Sequence, residues 1–244
     1  MALVGAAVQA AEIGEPVRLD SRWLGLVSRE MGARTLFVLS APLSFLWSAP
    51  WLGPGKIAPP VLLVAGGSAN RVSLFPLATF LGRRGWRWVW PVGRSSRESS
   101  LLQEAEAVVR HVQSLRETTG SAQIDVVAFG TAGLVVAQAF RDRGLTEVRR
   151  VVTIGTPWQG TKLAVFGRRR LAADVGHGSH MLEGLTPLPV PTICVWSPTD
   201  TVVVPARSAH PPDGAAGVSI DGAGHLDLLL SARVWRAVQA ALLG

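Results

Sequence analysis

The sequence predicts an α/β fold in which one mostly parallel sheet is covered by helices on both faces. From Pro59 onward, short apolar segments alternate with longer amphipathic ones, which is the order expected for such a sheet. Several of the short segments are apolar throughout, as in strands buried on both faces. The chain has 244 residues, of which 48% are hydrophobic and 17% charged. It is therefore long enough to form one large domain with a core, and the composition argues against disorder.

The first strand and helix are predicted in adjacent segments. PVLLVAGG is typical of a buried strand, and SLFPLATFLGRRG indicates a helix that ends at Gly85. In the next strand, WRWVWPVG, the alternation of side chains predicts Trp86, Trp88 and Trp90 on one face.

A long helix is predicted between Ser100 and Gly120. Ser100 and Gln103 have the spacing of a capping box, and Gly120 is a plausible helix stop. Apolar residues repeat at helical spacing through the segment. They are Leu101, Ala105, Val108, Val112 and Leu115.

The remaining elements continue the alternation. AQIDVVA predicts a strand that leads through a glycine-rich turn into a helix ending near Arg141. EVRRVVTI, PTICVWS and AGVSID predict three more strands, and HLDLLLSARVWRAVQAALL predicts one closing amphipathic helix. The least regular stretch is predicted as a short cap or loop insertion around residues 157–190 of a domain spanning residues 59–244.

Residues 1–58 are predicted to be an N-terminal apolar helical extension. The opening MALVGAAVQAAE lacks a basic region and is a poor signal peptide. The apolar stretch at residues 35–53 has two interpretations, a buried or interfacial hairpin and a kinked membrane span or anchor. Pro42 and Pro50 would break or kink a spanning helix. We expect the chain in the cytoplasm, with membrane association through residues 35–53 as an option.

The net charge of +7 comes almost entirely from arginine. Such a charge suits nucleic acid or an anionic membrane, but a GC-rich genome explains it equally well. The segment LGRRGWRWVWPVGR has the period of a strand and no binding motif accompanies it, so we expect no nucleic-acid partner. The single cysteine, Cys194, excludes an internal disulfide framework and is predicted to be a small core residue.

Four further motifs surround the segment DVVAFGTAGLVVAQAF. An early strand ends in VAGGSAN, and GTPWQGT follows a later strand. Asp200 lies in SPTDTVVVP after another predicted strand, and His225 lies in GAGHLDLL after the last one. An acidic residue and a histidine that both follow late strands are candidates for general acid–base chemistry.

The order of these motifs resembles the α/β-hydrolase fold family, in particular its bacterial lipase and esterase branch, which is triacylglycerol lipase-like. The resemblance covers about Pro60 to Gly244. Members usually have His-Gly after the early strand, Gly-His-Ser-Met-Gly-Gly at the nucleophile turn and Gly-Thr-Pro-His downstream. This sequence has Ala65 in place of the first histidine, Gly130 in place of the serine and Trp158 in place of the last histidine.

The resemblance implies roles for residues in these motifs. Asp200 and His225 would be the acid and base of a serine–histidine–acid triad. The backbone N–H groups of Gly67 and Thr131 would bind the oxyanion. Ser68, Phe129 and Trp158 would line the same site.

Gly130, rather than Thr131, is predicted at the nucleophile position. The turn needs small residues two positions before and after the nucleophile, and Ala128 and Ala132 meet this around Gly130. Around Thr131, the corresponding position would be Phe129, which is too large. Thr131 is kept as an alternative, displaced nucleophile.

The leading functional expectation is a catalytically silent or impaired lipase-like protein that binds an apolar or acyl ligand, a membrane surface or a protein partner. One alternative is an active hydrolase of lipid or carboxylic esters that uses water activated by His225, or Thr131. A second alternative is a structural or interaction subunit with a closed pocket. No cofactor is expected.

Asp174, His177 and His180 are close in sequence. Their loop-like spacing and the lack of a fourth ligand argue against a metal site.

Overall fold

The computed structural model describes residue 8 and residues 21–40, 51–57, 59–67, 69–96, 98–166 and 170–244. Within these residues, seven strands form one sheet in the order β1-β3-β2-β4-β5-β6-β7. The strands are β1 (Trp51–Leu52), β2 (Val61–Ala65), β3 (Trp88–Val92), β4 (Ile124–Phe129), β5 (Val148–Ile154), β6 (Thr192–Trp196) and β7 (Ala216–Ser219).

All neighbouring strands are parallel except at one edge, where β1 is antiparallel to β3. In the centre of the sheet, Phe129 at the end of β4 pairs with Ala65 at the end of β2 and with Ile154 at the end of β5. The loops that follow these strands therefore begin at the same edge of the sheet. This is the edge at which α/β folds place their binding sites.

Helices connect the strands and cover both faces of the sheet. The α-helices are α1 (Ser21–Ser40), α2 (Phe75–Arg83), α3 (Leu101–Thr119), α4 (Ala132–Arg143), α5 (Arg170–Asp174), α6 (Asp227–Leu230) and α7 (Ala232–Leu243). Short 3₁₀ helices occur at Arg71–Leu74, Lys162–Phe166, His180–Leu182 and Ala206–Ala209.

The predicted long helix is confirmed as α3. The Ser100 side chain accepts a hydrogen bond from the backbone of Gln103, and the Gln103 side chain accepts one from Ser100, so the capping box is complete. Gly120 ends the helix in a left-handed conformation (φ 67°, ψ 11°). Local capping signals were sufficient here because both ends are satisfied by residues of the same segment.

The core has two parts, one on each face of the sheet. Alternate residues of β4 point to opposite faces: Val126 and Ala128 pack under α3 and α4, whereas Val127 and Phe129 pack under α2 and α7. Cys194 is buried in the first of these parts, as predicted.

Two local predictions are wrong. Trp86 precedes β3 and is buried with Val89, whereas Trp90 packs against the opposite part of the core, so the tryptophans do not share a face. The closing helix is interrupted at Ser231, whose backbone is extended (φ −81°, ψ 118°) and separates α6 from α7.

The described residues before position 59 contact the rest of the fold through α1 and through the segment 51–57. Ala33 and Phe37 of α1 are buried in the same core as α2 and α7. Trp51–Leu52 extends the sheet at its β3 edge. Of the apolar stretch 35–53, positions 41–50 lie outside the described residues. No helix among the described residues is long and apolar enough to cross a membrane.

The irregular stretch 157–190 contains only short helical segments in its described part. Its apolar residues Leu163, Leu171, Val175 and Leu185 are buried. The last three extend the part of the core that lies under α3 and α4. The division of the chain at residue 58 and the cap assignment stay predictions.

Candidate active site

The turn between β4 and α4, formed by Gly130 and Thr131, is the centre of the candidate site. Gly130 has a φ of +60°, a region that favours glycine. Its N–H donates a hydrogen bond to the Ile154 carbonyl (2.8 Å), and its carbonyl accepts one from the Thr156 hydroxyl (2.9 Å). The N–H and the carbonyl of Gly130 are thus both hydrogen-bonded, one to the last residue of β5 and the other to the loop that follows it.

Asp200 and His225 form a buried hydrogen-bonded pair. Nδ1 of His225 lies 2.8 Å from Oδ2 of Asp200, and the two residues are 4% and 3% exposed. The other carboxylate oxygen of Asp200 accepts hydrogen bonds from the N–H groups of Val202 and Val203, each 2.8 Å long. The carboxylate is therefore fixed by the loop that follows β6, and it orients the imidazole ring.

The pKa of His225 is raised above its usual value of 6.5. Burial alone lowers it, because a buried imidazolium loses its hydration. The Asp200 carboxylate, through its charge and its hydrogen bond, and the charge of Glu30 outweigh that effect. The pair can thus accept a proton readily.

The imidazole ring faces Gly130. A Cβ atom at Gly130 would lie 3.3 Å from Nε2 of His225 and 3.6 Å from Cε1. Gly155 lies next to the hydrogen bond between His225 and Asp200. A Cβ atom at Gly155 would be 3.2 Å from Nδ1 of His225 and 3.3 Å from Oδ2 of Asp200. The ring nitrogen that is free to exchange a proton is therefore directed at the β4–α4 turn.

The loop after β2 packs directly on that turn. A Cβ at Gly66 would lie 2.3 Å from the Ala132 backbone nitrogen and 2.8 Å from the Thr131 hydroxyl oxygen, so only glycine fits. The next residue, Gly67, has a φ of +65° and open space around it. Ser68 lies outside the described residues. The two loops that would supply oxyanion N–H groups are adjacent.

Thr131, Phe129 and Trp158 take different positions. The Thr131 hydroxyl oxygen is buried, and within the described part of the chain it has no hydrogen-bond partner. The Phe129 ring contacts His225, with ring centroids 4.8 Å apart at an angle of 41°. Trp158 is buried on the other face, in the part of the core that contains Cys194. Thus Phe129 covers the imidazole, whereas Trp158 belongs to the packing under α3 and α4.

The chain is similar to known proteins in its fold. No protein-family model and no curated protein sequence matches the chain. Among solved structures, Aspergillus fumigatus lipase B superposes with a TM-score of 0.66 at 17% identity, over 80% of this chain and 56% of that one. Bacillus licheniformis lipase BlEst2 in its mature form gives 0.64 at 13% identity, over 79% and 94% of the two chains. The chain has an α/β-hydrolase fold. Bacillus subtilis carboxylesterase CesB has the same architecture, with a TM-score of 0.52 at 14% identity over 86% and 98% of the chains.

Within this α/β-hydrolase fold, one charged residue of the site region was missed by sequence analysis. Glu30 of α1 is buried, and its carboxylate accepts hydrogen bonds from the N–H groups of Leu226 (3.0 Å) and Asp227 (3.2 Å). These residues directly follow His225. A signal did exist, because Glu30 shares the buried stripe of its helix with Leu26, Ala33 and Phe37.

The three residues considered as metal ligands have separate partners. Asp174 accepts a hydrogen bond from the N–H of Leu101 (2.9 Å), Nδ1 of His177 lies 2.8 Å from the Gln159 carbonyl, and Nδ1 of His180 lies 2.8 Å from Glu183. Across the described ranges, no three histidine, cysteine or acidic residues are grouped as a metal site.

Proposed function

We propose that this protein is a lipase- and esterase-like α/β-hydrolase homologue that acts by binding rather than by turnover. The observation that supports this is the pairing of Gly130 with His225. A Cβ would lie 3.3 Å from Nε2 at the point where a nucleophilic side chain would stand, and glycine supplies none. Acyl transfer in this fold requires an oxygen that attacks the carbonyl while the histidine takes its proton.

Thr131 does not supply that oxygen as readily as a residue at position 130 would. Its hydroxyl lies against Gly66, and among the described residues no hydrogen bond joins it to His225. The backbone N–H groups of Thr131 and Gly67 would still polarise a bound carbonyl, because backbone donors do not depend on the side chain at position 130. The site would therefore recognise an acyl group without cleaving it.

The surface beside α1 supports binding of an apolar ligand or a lipid surface. A groove of about 620 Å³ lies between α1, α2 and α7, with walls formed by Phe37, Phe75, Phe80 and Trp235 and an edge formed by Arg83 and Arg84. Leu36 of α1 also lines the groove and is exposed, and the same helix exposes Val38 and Leu39. Apolar surface bordered by arginine suits amphiphiles with anionic head groups.

A second candidate function is weak ester hydrolysis by water. The observation that favours it is the retained Asp200–His225 pair, which is buried and hydrogen-bonded at 2.8 Å. A water molecule hydrogen-bonded to Nε2, on the side where Gly130 has no side chain, could be activated by His225. Sites that lack one triad member retain roughly 10³-fold catalysis over water, which would be detectable as a trace activity.

The catalytic part of the proposal is tested with p-nitrophenyl esters of short and long acyl chains and a fluorophosphonate label. The wild-type protein, Gly130→Ser, Gly130→Ala, His225→Ala and the double variant Gly130→Ser/His225→Ala are compared. We expect wild type and Gly130→Ala to be silent and unlabelled, Gly130→Ser to gain labelling and weak esterase activity, and the double variant to lose both.

Gly130→Ala is the matched control, because it introduces the same Cβ at a φ of +60° without the hydroxyl. Turnover by wild type that is abolished in His225→Ala would overturn the binding-only proposal and favour the water mechanism. A Gly130→Ser protein that is folded yet unlabelled would show that His225 and the oxyanion N–H groups are not positioned for acyl transfer.

Lipid binding is tested by flotation with vesicles of phosphatidylcholine alone and of phosphatidylcholine with phosphatidylglycerol. We expect preference for the anionic vesicles and its loss in Leu36→Glu, which places a charge at an exposed residue that lines the groove. Thr35→Glu is the control, because it adds the same charge at an exposed position of that helix that does not line the groove. Equal flotation of both variants would contradict this surface as the contact.

A further inference from the structure

The segment that follows His225 is attached to α1 by a buried carboxylate. Both oxygens of Glu30 lie 3.0 Å from the Leu226 nitrogen, and one is also 3.2 Å from the Asp227 nitrogen. These two N–H groups begin the short helix α6 and belong to its first turn, which cannot pair within the helix. Glu30 therefore satisfies donors that would otherwise be buried without a partner, and these donors adjoin the imidazole residue.

The loop before His225 leaves room for the Glu30 side chain at Gly224. Glu30 is 5% exposed, and a Cβ at Gly224 would lie 2.5 Å from its carboxylate oxygen. Glycine at position 224 is thus required for the carboxylate to approach the loop. Glu30 therefore bonds the two residues that follow His225 and packs against Gly224, which precedes it, from an element 196 positions earlier in the chain.

We infer that Glu30 is a positioning residue for His225: it fixes the backbone that directly follows the histidine and keeps a negative charge beside the Asp200–His225 pair. This makes α1 a functional part of the site rather than an appendage. The role assigned to His225 rests on the proposed function, but the placement of Glu30 does not.

The charges around the imidazole agree with this inference. Two carboxylates act on it, Asp200 from the loop after β6 and Glu30 from α1, and both raise the pKa of His225 against the effect of burial. The neighbouring charges are paired elsewhere: Arg29 is bonded to the Asp227 carboxylate (3.0 Å) and to the Gly222 carbonyl (2.8 Å). Removing the Glu30 charge should therefore act on His225 directly.

The first experiment is an NMR titration of the histidine Cε1–H signals in the full-length protein, with the His225 signal assigned by its loss in His225→Gln. Glu30→Gln keeps the size of the side chain and removes its charge. We expect the pKa of His225 to fall in Glu30→Gln, because a charge that favours the imidazolium is lost. Glu117→Gln is the matched control, because it makes the same change at an exposed position of α3.

The second readout is activity in the Gly130→Ser background. There Glu30→Gln should lower kcat roughly 10-fold or more with little change in KM, because a misplaced base affects the chemical step rather than binding. Its pH–rate profile should shift to lower pH together with the titration. Glu117→Gln should leave both unchanged.

The two proposals fail in different ways. If Gly130→Ser has no activity, the proposed function is in doubt while the titration still tests Glu30. A folded Glu30→Gln protein with an unchanged His225 pKa, or one that behaves like Glu117→Gln, overturns the inference. If Glu30→Gln is too unstable to titrate, the comparison is made in a Gly32→Ala background, where alanine in the interior of α1 meets no other atom and should raise stability.

Discussion

The hydroxyl of Thr156 donates a 2.9 Å hydrogen bond to the carbonyl oxygen of Gly130, and both residues are buried. Gly133 makes room for this contact, because a Cβ at Gly133 would lie 2.2 Å from the same hydroxyl oxygen. The Thr156 side chain thus fixes the β4–α4 turn through the backbone carbonyl of Gly130. The shape of the turn therefore does not depend on a nucleophilic side chain at position 130.

Replacing Thr156 with valine should weaken this anchor. The change keeps the shape of the side chain and removes one buried hydrogen bond, so we expect the free energy of unfolding to fall by about 1 kcal/mol. Urea unfolding measures it. Thr118→Val is the control, because the Thr118 hydroxyl bonds to Ser114 on the exposed surface of α3. Equal losses in the two variants would contradict a special role for Thr156.

Gly133→Ala should be destabilising by about 1–3 kcal/mol, since the added methyl group meets Thr156 in a packed interior. The same substitution at Gly32, inside α1, meets nothing within 4 Å and should stabilise the protein by about 0.5–1 kcal/mol. Thermal and urea unfolding of the two variants compare the effect of the added methyl group at a packed position and at an open one. A Gly133→Ala protein as stable as wild type would show that the turn is loosely packed.

Gly130→Ser is expected to gain activity at a cost in stability. Residue 130 has a φ of +60°, where any side chain is strained, and its Cβ would be only 3.3 Å from His225. Both Gly130→Ser and Gly130→Ala should therefore lose about 1–3 kcal/mol in the free energy of unfolding. Only the serine variant should react with fluorophosphonate. A fully stable Gly130→Ala protein would indicate that the turn relaxes.

Asp200→Asn should lower the pKa of His225, because it removes the charge that favours the imidazolium. The asparagine oxygen can still accept from Val202 and Val203, so the loop should persist with a loss of about 1–3 kcal/mol. Histidine titration and urea unfolding provide the two measurements. Asp213→Asn, at an exposed position, is the control for loss of a carboxylate. An unchanged His225 pKa in Asp200→Asn would mean that the pair is not coupled.

Stability should depend on pH through His225. Its pKa is higher in the folded than in the unfolded state, where it is near 6.5, so the folded state binds the proton more tightly. The resulting stabilisation is fully present below the unfolded-state pKa and is lost as the pH rises through the folded-state pKa. The difference in unfolding free energy between wild type and His225→Gln should therefore shrink across that interval. A difference that grows with pH would contradict the raised pKa.

Much of the fold and part of the candidate site could be predicted because their signals are local. The capping box at Ser100 and the stop at Gly120 specify α3 within one segment. Local sequence patterns also predicted the strand–turn–helix at Gly130 and the positions of Asp200 and His225 after late strands. Parallel pairing then brings the ends of the strands to one edge, where the three residues meet.

The sequence by itself therefore determined the α/β class, the order of strands β2 to β7 along the chain and three residues that meet at the candidate site, Gly130, Asp200 and His225. Only the tertiary structure decided that Trp86 packs with Val89 rather than with Trp90 and that the closing helix breaks at Ser231. It alone placed Glu30 on the loop of His225. The physical reason is that these outcomes depend on contacts between distant segments, whose partners are chosen by packing and by the need to satisfy buried hydrogen-bonding groups.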